Sequence, residues 1–107
     1  MPEDSPVLDT LTEMTAVSIS RSNLGARDHV MARIAALVAV GAPAGSYLLH
    51  IGSAVDAGVT LEDVQGVLIA VAPIVGTPRI ATAAAHIAKA LGIAIDLADA
   101  ELDAETN

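Results

Sequence analysis

The apolar residues of this chain recur at spacings of three and four, and this period most constrains what it can fold into. The first example is the series Val7, Leu8, Leu11, Met14 and Val17. Such spacing places side chains on one face of an α-helix, whereas a half-buried strand needs strict alternation. Apolar residues make up 53% of the chain, but it has one tyrosine and no phenylalanine or tryptophan, so its core must be aliphatic. The sequence therefore predicts an all-α domain.

Capping residues and prolines mark where the helices begin. Ser5 and Thr77 each precede a proline, which is favoured at the first helical position because its missing N–H needs no partner there. Thr60 is followed three residues later by Asp63, a shortened form of the capping box. With these starts, we predict helices over about residues 6–20, 26–40, 45–57, 61–75 and 78–91.

Glycines and a proline mark where the helices end. Gly58 stands where a left-handed terminal residue is expected, Pro73 predicts a kink or early stop in the fourth helix, and Gly92 predicts the end of the fifth. The acidic tail, about residues 96–107, either forms a short sixth helix or stays loose. The length leaves no room for a second domain, so residues 1–107 are predicted to form one compact domain of five or six helices.

Charge and cysteine content exclude several classes of function. A net charge of -8 argues against nucleic acid and anionic membranes as partners, because both require clustered Lys and Arg. The absence of cysteine excludes disulfides, thiolate metal sites and thiol nucleophiles. The acidic start at residues 1–5 is unlike a secretory signal, which predicts a cytoplasmic protein. The uncharged stretch over residues 34–55 is interrupted at Gly41–Gly45, so we expect a helix pair joined by a turn and no membrane span.

Three of the predicted helices, the second, fourth and fifth, are apolar on more of their circumference than a monomer of this size can cover. Large exposed apolar patches on soluble proteins usually mark partner surfaces. Another copy of the same chain is the simplest partner, since symmetric self-assembly requires no second gene product. The sequence therefore predicts a homo-oligomer.

The most distinctive pattern lies in the second half of the chain. His50 occurs in an apolar helix, residues 57–60 (Ala-Gly-Val-Thr) open an acidic helix start, and residues 72–78 (Ala-Pro-Ile-Val-Gly-Thr-Pro) lead into another helix. In this order and spacing, residues 24–91 resemble the carboxymuconolactone decarboxylase and alkylhydroperoxidase D-like superfamily. The resemblance implies an alkylhydroperoxidase D-like helical fold assembled as trimers or hexamers.

The peroxidase branch of this superfamily has a Cys-x-x-Cys pair before the histidine and a glutamate before the first cysteine. The corresponding positions here are Pro43, Ser46 and Met31, or Val30 for the glutamate with a one-residue gap. Because none of these residues is a cysteine or an acid, thiol peroxidase chemistry is excluded.

The lactone decarboxylase branch also lacks the cysteines and keeps the histidine, usually with an acidic partner. This resemblance implies decarboxylation of a small carboxylate or lactone without a cofactor. His50 is the candidate proton donor, since histidine changes protonation near neutral pH. Asp28, one turn before Met31, is a candidate for the missing acid. An aspartate in a first turn is also what the helix dipole favours.

The candidate substrate-binding residues are Ser46, Ser53, Met31, Arg33 and Arg79. Ser46 and Ser53 share one helix face with His50, while either arginine could hold a carboxylate by a bidentate contact. The alternatives are a neutral structural histidine bonded to a backbone carbonyl, and arginines that are solvated or paired. No metal signature is present, because neither His29 nor His86 has a second ligand at a suitable spacing.

Two functions from different classes remain open on this reasoning. The first is a cofactor-free, decarboxylase-like lyase. The second is a non-catalytic oligomeric module that binds a small molecule or supports assembly, and the replaced cysteine and glutamate positions favour it. Function belongs to a site and not to a fold, so the arrangement around His50 must decide between them.

Overall fold

The structure, a computed structural model, describes residues 5–106, with side chains described through residue 104. This range contains five α-helices: α1 Pro6–Arg21, α2 Ala26–Val40, α3 Ala44–Asp56, α4 Leu61–Val75 and α5 Thr77–Thr106. The prediction of an all-α fold is confirmed. Helices α2 and α4 have the predicted bounds, and α1 and α3 differ from the predictions by one residue.

The capping box at the start of α4 is confirmed. The Thr60 backbone N–H donates to Asp63 Oδ2 (2.9 Å), and the Asp63 N–H donates to Thr60 Oγ1 (3.1 Å). Arg27 Nη2 also lies 2.6 Å from Asp63 Oδ1, which ties the start of α2 to the start of α4. The Thr60 backbone hydrogen bond, followed by Arg27 and the Thr60 hydroxyl, holds the pKa of Asp63 below its ordinary value.

Two glycines in the left-handed region end helices. Gly41 (φ 72°) follows α2, and Gly58 (φ 76°) lies just after α3, where the sequence predicted a left-handed residue for Gly58 alone. The uncharged stretch over residues 34–55 is therefore divided between two helices, which confirms the predicted helix pair.

The predicted stop at Gly92 is wrong, because α5 continues through it to Thr106 and includes most of the acidic tail. Glycine inside a helix costs about 1 kcal/mol relative to alanine, and the good helix formers on both sides offset that cost. Pro73 does not stop α4 either, since it lies in the last turn, two residues before the helix ends. The fifth helix begins at Thr77 itself, one residue earlier than predicted, and Ser5 makes no side-chain capping bond.

The core is centred on α2, which contacts α3, α4 and α5. The buried residues are small or aliphatic apart from one tyrosine: Val30, Ile34, Val38, Ala42, Tyr47, Val67, Ala83 and Ala90. Helix α1 contributes no buried residue. The core therefore stabilises the relative positions of α2 to α5, and α1 lies at its edge.

Within the described residues, one helical segment, Thr77–Ala104, is long and apolar enough to cross a membrane by length and composition. In the most apolar window of this segment, 11% is buried inside the fold. In this fold Ala83 and Ala90 of that segment are buried, and His86 Nδ1 lies 3.0 Å from the Ala42 carbonyl oxygen. This face of α5 packs within a globular helical domain.

Candidate functional site

His50 is half-buried on α3, and its hydrogen bonding determines which ring nitrogen is available. Its Nδ1 lies 2.8 Å from the carbonyl oxygen of Ser46, one turn earlier. A carbonyl can only accept, so Nδ1 must carry the hydrogen of this bond. The backbone contact is the one expected of a structural histidine, and it also leaves Nε2 as the nitrogen that can exchange a proton.

His50 borders a cavity of about 370 Å³ between α1, α2 and α3, here called the α1–α3 cleft. Its polar lining residues come from α2 and α3, whereas α1 and the loop after it supply apolar ones. The full lining is Ile19, Leu24, Ala26, His29, Val30, Arg33, His50, Ser53, Asp56 and Ala57. Three predicted site residues, Arg33, His50 and Ser53, are therefore brought to one cleft.

Arg33 is the only Lys or Arg that lines the cleft among the described residues. Its Nη2 lies 3.5 Å from the Thr15 carbonyl oxygen of α1, a distance at which a hydrogen bond is weak. His29, one turn before Arg33, has a buried Nε2 with no partner within the described part of the chain. The cleft thus combines one cation, two imidazoles and the Ser53 hydroxyl, with Asp56 as the opposing charge.

The other predicted site residues lie elsewhere. Asp28 is exposed in the first turn of α2, and Met31 packs against the core; neither lines a described cavity. Ser46 is half-buried and meets His50 through its backbone. Arg79 Nη1 donates to the Ala39 carbonyl oxygen (2.7 Å), so this guanidinium satisfies the C-terminal end of α2.

His50 also borders a second cavity of about 210 Å³ between α3, α4 and α5, here called the inner cavity. Tyr47, one turn before His50, lines it and is 5% exposed. Burial raises the pKa of Tyr47 from its ordinary value of 10.0, which keeps its hydroxyl protonated. His50 therefore lies between two cavities of different polarity.

Sequence reasoning assigned no role to His29, Asp56 or Tyr47, which the cavities bring close to the site. The signal for His29 was its spacing of four from Arg33, which places both side chains on one face of α2. Tyr47 was detectable as the sole aromatic residue, three positions before His50. No group of three or more His, Asp or Glu side chains in the described residues is placed to hold a metal ion.

The site of this helical domain offers an imidazole between two cavities and no thiol, because the chain has no cysteine. Such a site is suited to acid–base chemistry or to binding small molecules. The family model of the carboxymuconolactone decarboxylase family matches residues 6–90. Because the match covers most of the 107 residues, this chain belongs to the carboxymuconolactone decarboxylase family and is a member without the Cys-x-x-Cys pair. Comparisons with curated proteins and with solved structures find no match.

Proposed function

We propose that this protein binds a small carboxylate or lactone acid in the α1–α3 cleft and acts on it as a cofactor-free, decarboxylase-like lyase. The observation that supports this proposal most strongly is the presence of Arg33 and His50 in the wall of one cleft. Arg33 would hold the anion, and His50 would transfer the proton. Ser53 adds a hydroxyl for the lactone oxygen.

Arg33 is suited to hold the carboxylate because its guanidinium has several donors and, among the residues that the structure describes, a single long contact, to Thr15. In a chain of net charge -8, an anion needs a local cation to be retained. Asp56 repels a carboxylate, so the anion should lie at the Arg33 side of the cleft. The neighbouring His29 lines the same cleft, and its buried Nε2 has no hydrogen-bond partner among the described residues.

His50 is suited to proton transfer because its Nδ1–H is already bonded to Ser46, which leaves Nε2 for the substrate. In decarboxylation the carbon–carbon bond to the carboxylate breaks, carbon dioxide leaves, and the electron pair remains on the substrate as an enolate. Protonated His50 then transfers its Nε2 proton to the substrate carbon that lost the carboxylate. The neutral imidazole afterwards regains a proton from water. Proton transfer by a positioned side chain contributes about 10²–10⁴-fold in rate.

The second candidate function is binding without turnover, and one observation favours it. Met31 lies outside the cleft and Asp28 is exposed, so neither of these candidate positions places the acid usually present in this family in the cleft. Asp56 is the one carboxylate in the cleft wall. Retention of ligand affinity together with no release of carbon dioxide would identify this second function.

We also propose that the protein is a homo-oligomer, as its family resemblance implies. No residue of α1 is buried, and its large apolar side chains are 49–71% exposed; they include Leu8 (64%) and Met14 (60%). The Cα radius of gyration of 15.4 Å exceeds the ~13 Å typical of a domain of this length. Since α1 also forms one wall of the α1–α3 cleft, a partner copy packed on α1 would stabilise that wall.

Calorimetric titration with paraconate, a butyrolactone bearing a carboxylate, and with neutral γ-butyrolactone tests the binding proposal. The wild type should bind paraconate more tightly, and Arg33→Gln should remove that preference. Lys89→Gln is the matched control, because it removes the same charge from an exposed site outside both cavities. Equal loss of paraconate affinity in both variants, or no preference in the wild type, would overturn the proposal.

A further inference from the structure

The inner cavity differs in chemistry from the α1–α3 cleft. Its walls come mainly from α3, α4 and α5, with Ile34 of α2, and are mostly aliphatic, as at Ile51, Val64, Ile87 and Leu91. Its lining residues include no lysine or arginine, so a carboxylate would find no permanent cation there. The volume of about 210 Å³ exceeds the about 150 Å³ of an apolar cavity that takes up benzene in another protein. A single ring with one small substituent fits this space.

Tyr47 lines this cavity and carries a hydroxyl that has no partner among the described residues. The Tyr47 hydroxyl is buried and makes no hydrogen bond within the described residues, although the residue itself is 95% covered. A buried tyrosine hydroxyl normally finds a partner, because leaving it unpaired costs free energy. The neutral hydroxyl can both donate and accept, so either an alcohol or a carbonyl oxygen would satisfy it.

We propose that the inner cavity is a second binding site, which takes a small uncharged ring compound carrying one hydrogen-bonding oxygen, with the ring against the aliphatic walls and the oxygen paired with the Tyr47 hydroxyl. Binding in the inner cavity does not require a carboxylate at Arg33. His50 borders both sites, so a ligand in one lies next to the residue that serves the other.

Phenol and toluene are the matched probes, since they have the same size and differ only in a hydroxyl against a methyl group. We expect saturable binding of both by NMR titration, with phenol about tenfold tighter, the value of one good hydrogen bond. Tyr47→Phe removes only the unpartnered hydroxyl and should preserve the fold. It should lower the affinity for phenol about tenfold and leave that for toluene unchanged.

Filling the cavity is the second test. Ala54→Leu adds bulk to the wall of the inner cavity and should abolish binding of both probes, whereas Ala32→Leu, at an exposed site on α2, should not. Helical circular dichroism establishes whether each variant is folded. If Ala54→Leu does not fold, the comparison of Tyr47→Phe with the wild type decides instead. Absence of saturable binding by the wild type, or equal phenol affinity in wild type and Tyr47→Phe, would overturn this proposal. Loss of paraconate binding in Arg33→Gln has no bearing on it.

Discussion

The Nδ1–H of His50 donates to the carbonyl oxygen of Ser46 across 2.8 Å, within one turn of α3. Because the acceptor is the backbone, this bond does not depend on the serine side chain. It holds the imidazole at the shared wall of the α1–α3 cleft and the inner cavity, and Nε2 makes no hydrogen bond within the described part of the chain. A structural contact and a chemically available nitrogen are thus combined in one residue.

Replacing His50 by asparagine separates these two roles. The asparagine amide can take the place of Nδ1–H and donate to Ser46, but it has no counterpart of Nε2. We expect His50→Asn to keep the fold and the oligomer and to lose turnover or ligand binding. Melting temperature and paraconate affinity, measured on the same sample, check this expectation.

His86→Asn is the matched control for that experiment. His86 makes the same type of bond, from Nδ1 to the Ala42 carbonyl oxygen, but lines neither described cavity. It should leave ligand binding intact. If His50 were only structural, His50→Asn would bind every ligand unchanged and would differ from the wild type at most in melting temperature.

Self-association should depend on the exposed apolar stripe of α1. Light scattering coupled to size exclusion should give a mass well above 10.8 kDa at micromolar concentration. Leu11→Glu places a charge on the stripe and should raise the dissociation constant at least about tenfold. Ala16→Glu adds the same charge on the polar face of α1 and should have little effect. A wild type of monomeric mass would contradict the prediction.

The ion pair at the start of α4 should make stability dependent on pH in the acid range. The folded-state pKa of Asp63 is lowered from 3.8, so its contribution is fully present above that value and is lost as the pH falls through the folded pKa. Asp63→Asn should therefore melt below the wild type at neutral pH, and the difference should shrink in acid.

Glu62→Gln is the control for the Asp63 variant, because Glu62 lies in the same first turn and makes no ion pair among the described residues. Its removal should lower the melting temperature less than Asp63→Asn does. A difference between the wild type and Asp63→Asn that is constant from neutral pH into acid would show that the charge of Asp63 does not stabilise the fold.

Local interactions explain which parts of the fold were predictable. The capping box of Thr60 and Asp63 and the left-handed Gly58 act within a few residues, so the sequence alone located both. The continuation through Gly92 was missed, since a glycine is a helix end only when the following residues do not support the helix.

The candidate site was predictable only along single helices. Spacing placed His50 and Ser53 on one face of α3, whereas the approach of Arg33 to these two residues depends on how α2 packs against α3. The role of Arg79 could not be read locally, because its acceptor, Ala39, is 40 residues away. The lack of a partner for the Tyr47 hydroxyl within the described residues is likewise a product of packing, since only the fold determines what surrounds it.

A crystal structure of the protein with paraconate tests the central claim most directly. The account predicts density in the α1–α3 cleft, with the carboxylate on the Arg33 guanidinium and the lactone ring within hydrogen-bond distance of His50 Nε2. An empty cleft at saturating ligand, or paraconate bound away from both Arg33 and His50, would contradict it.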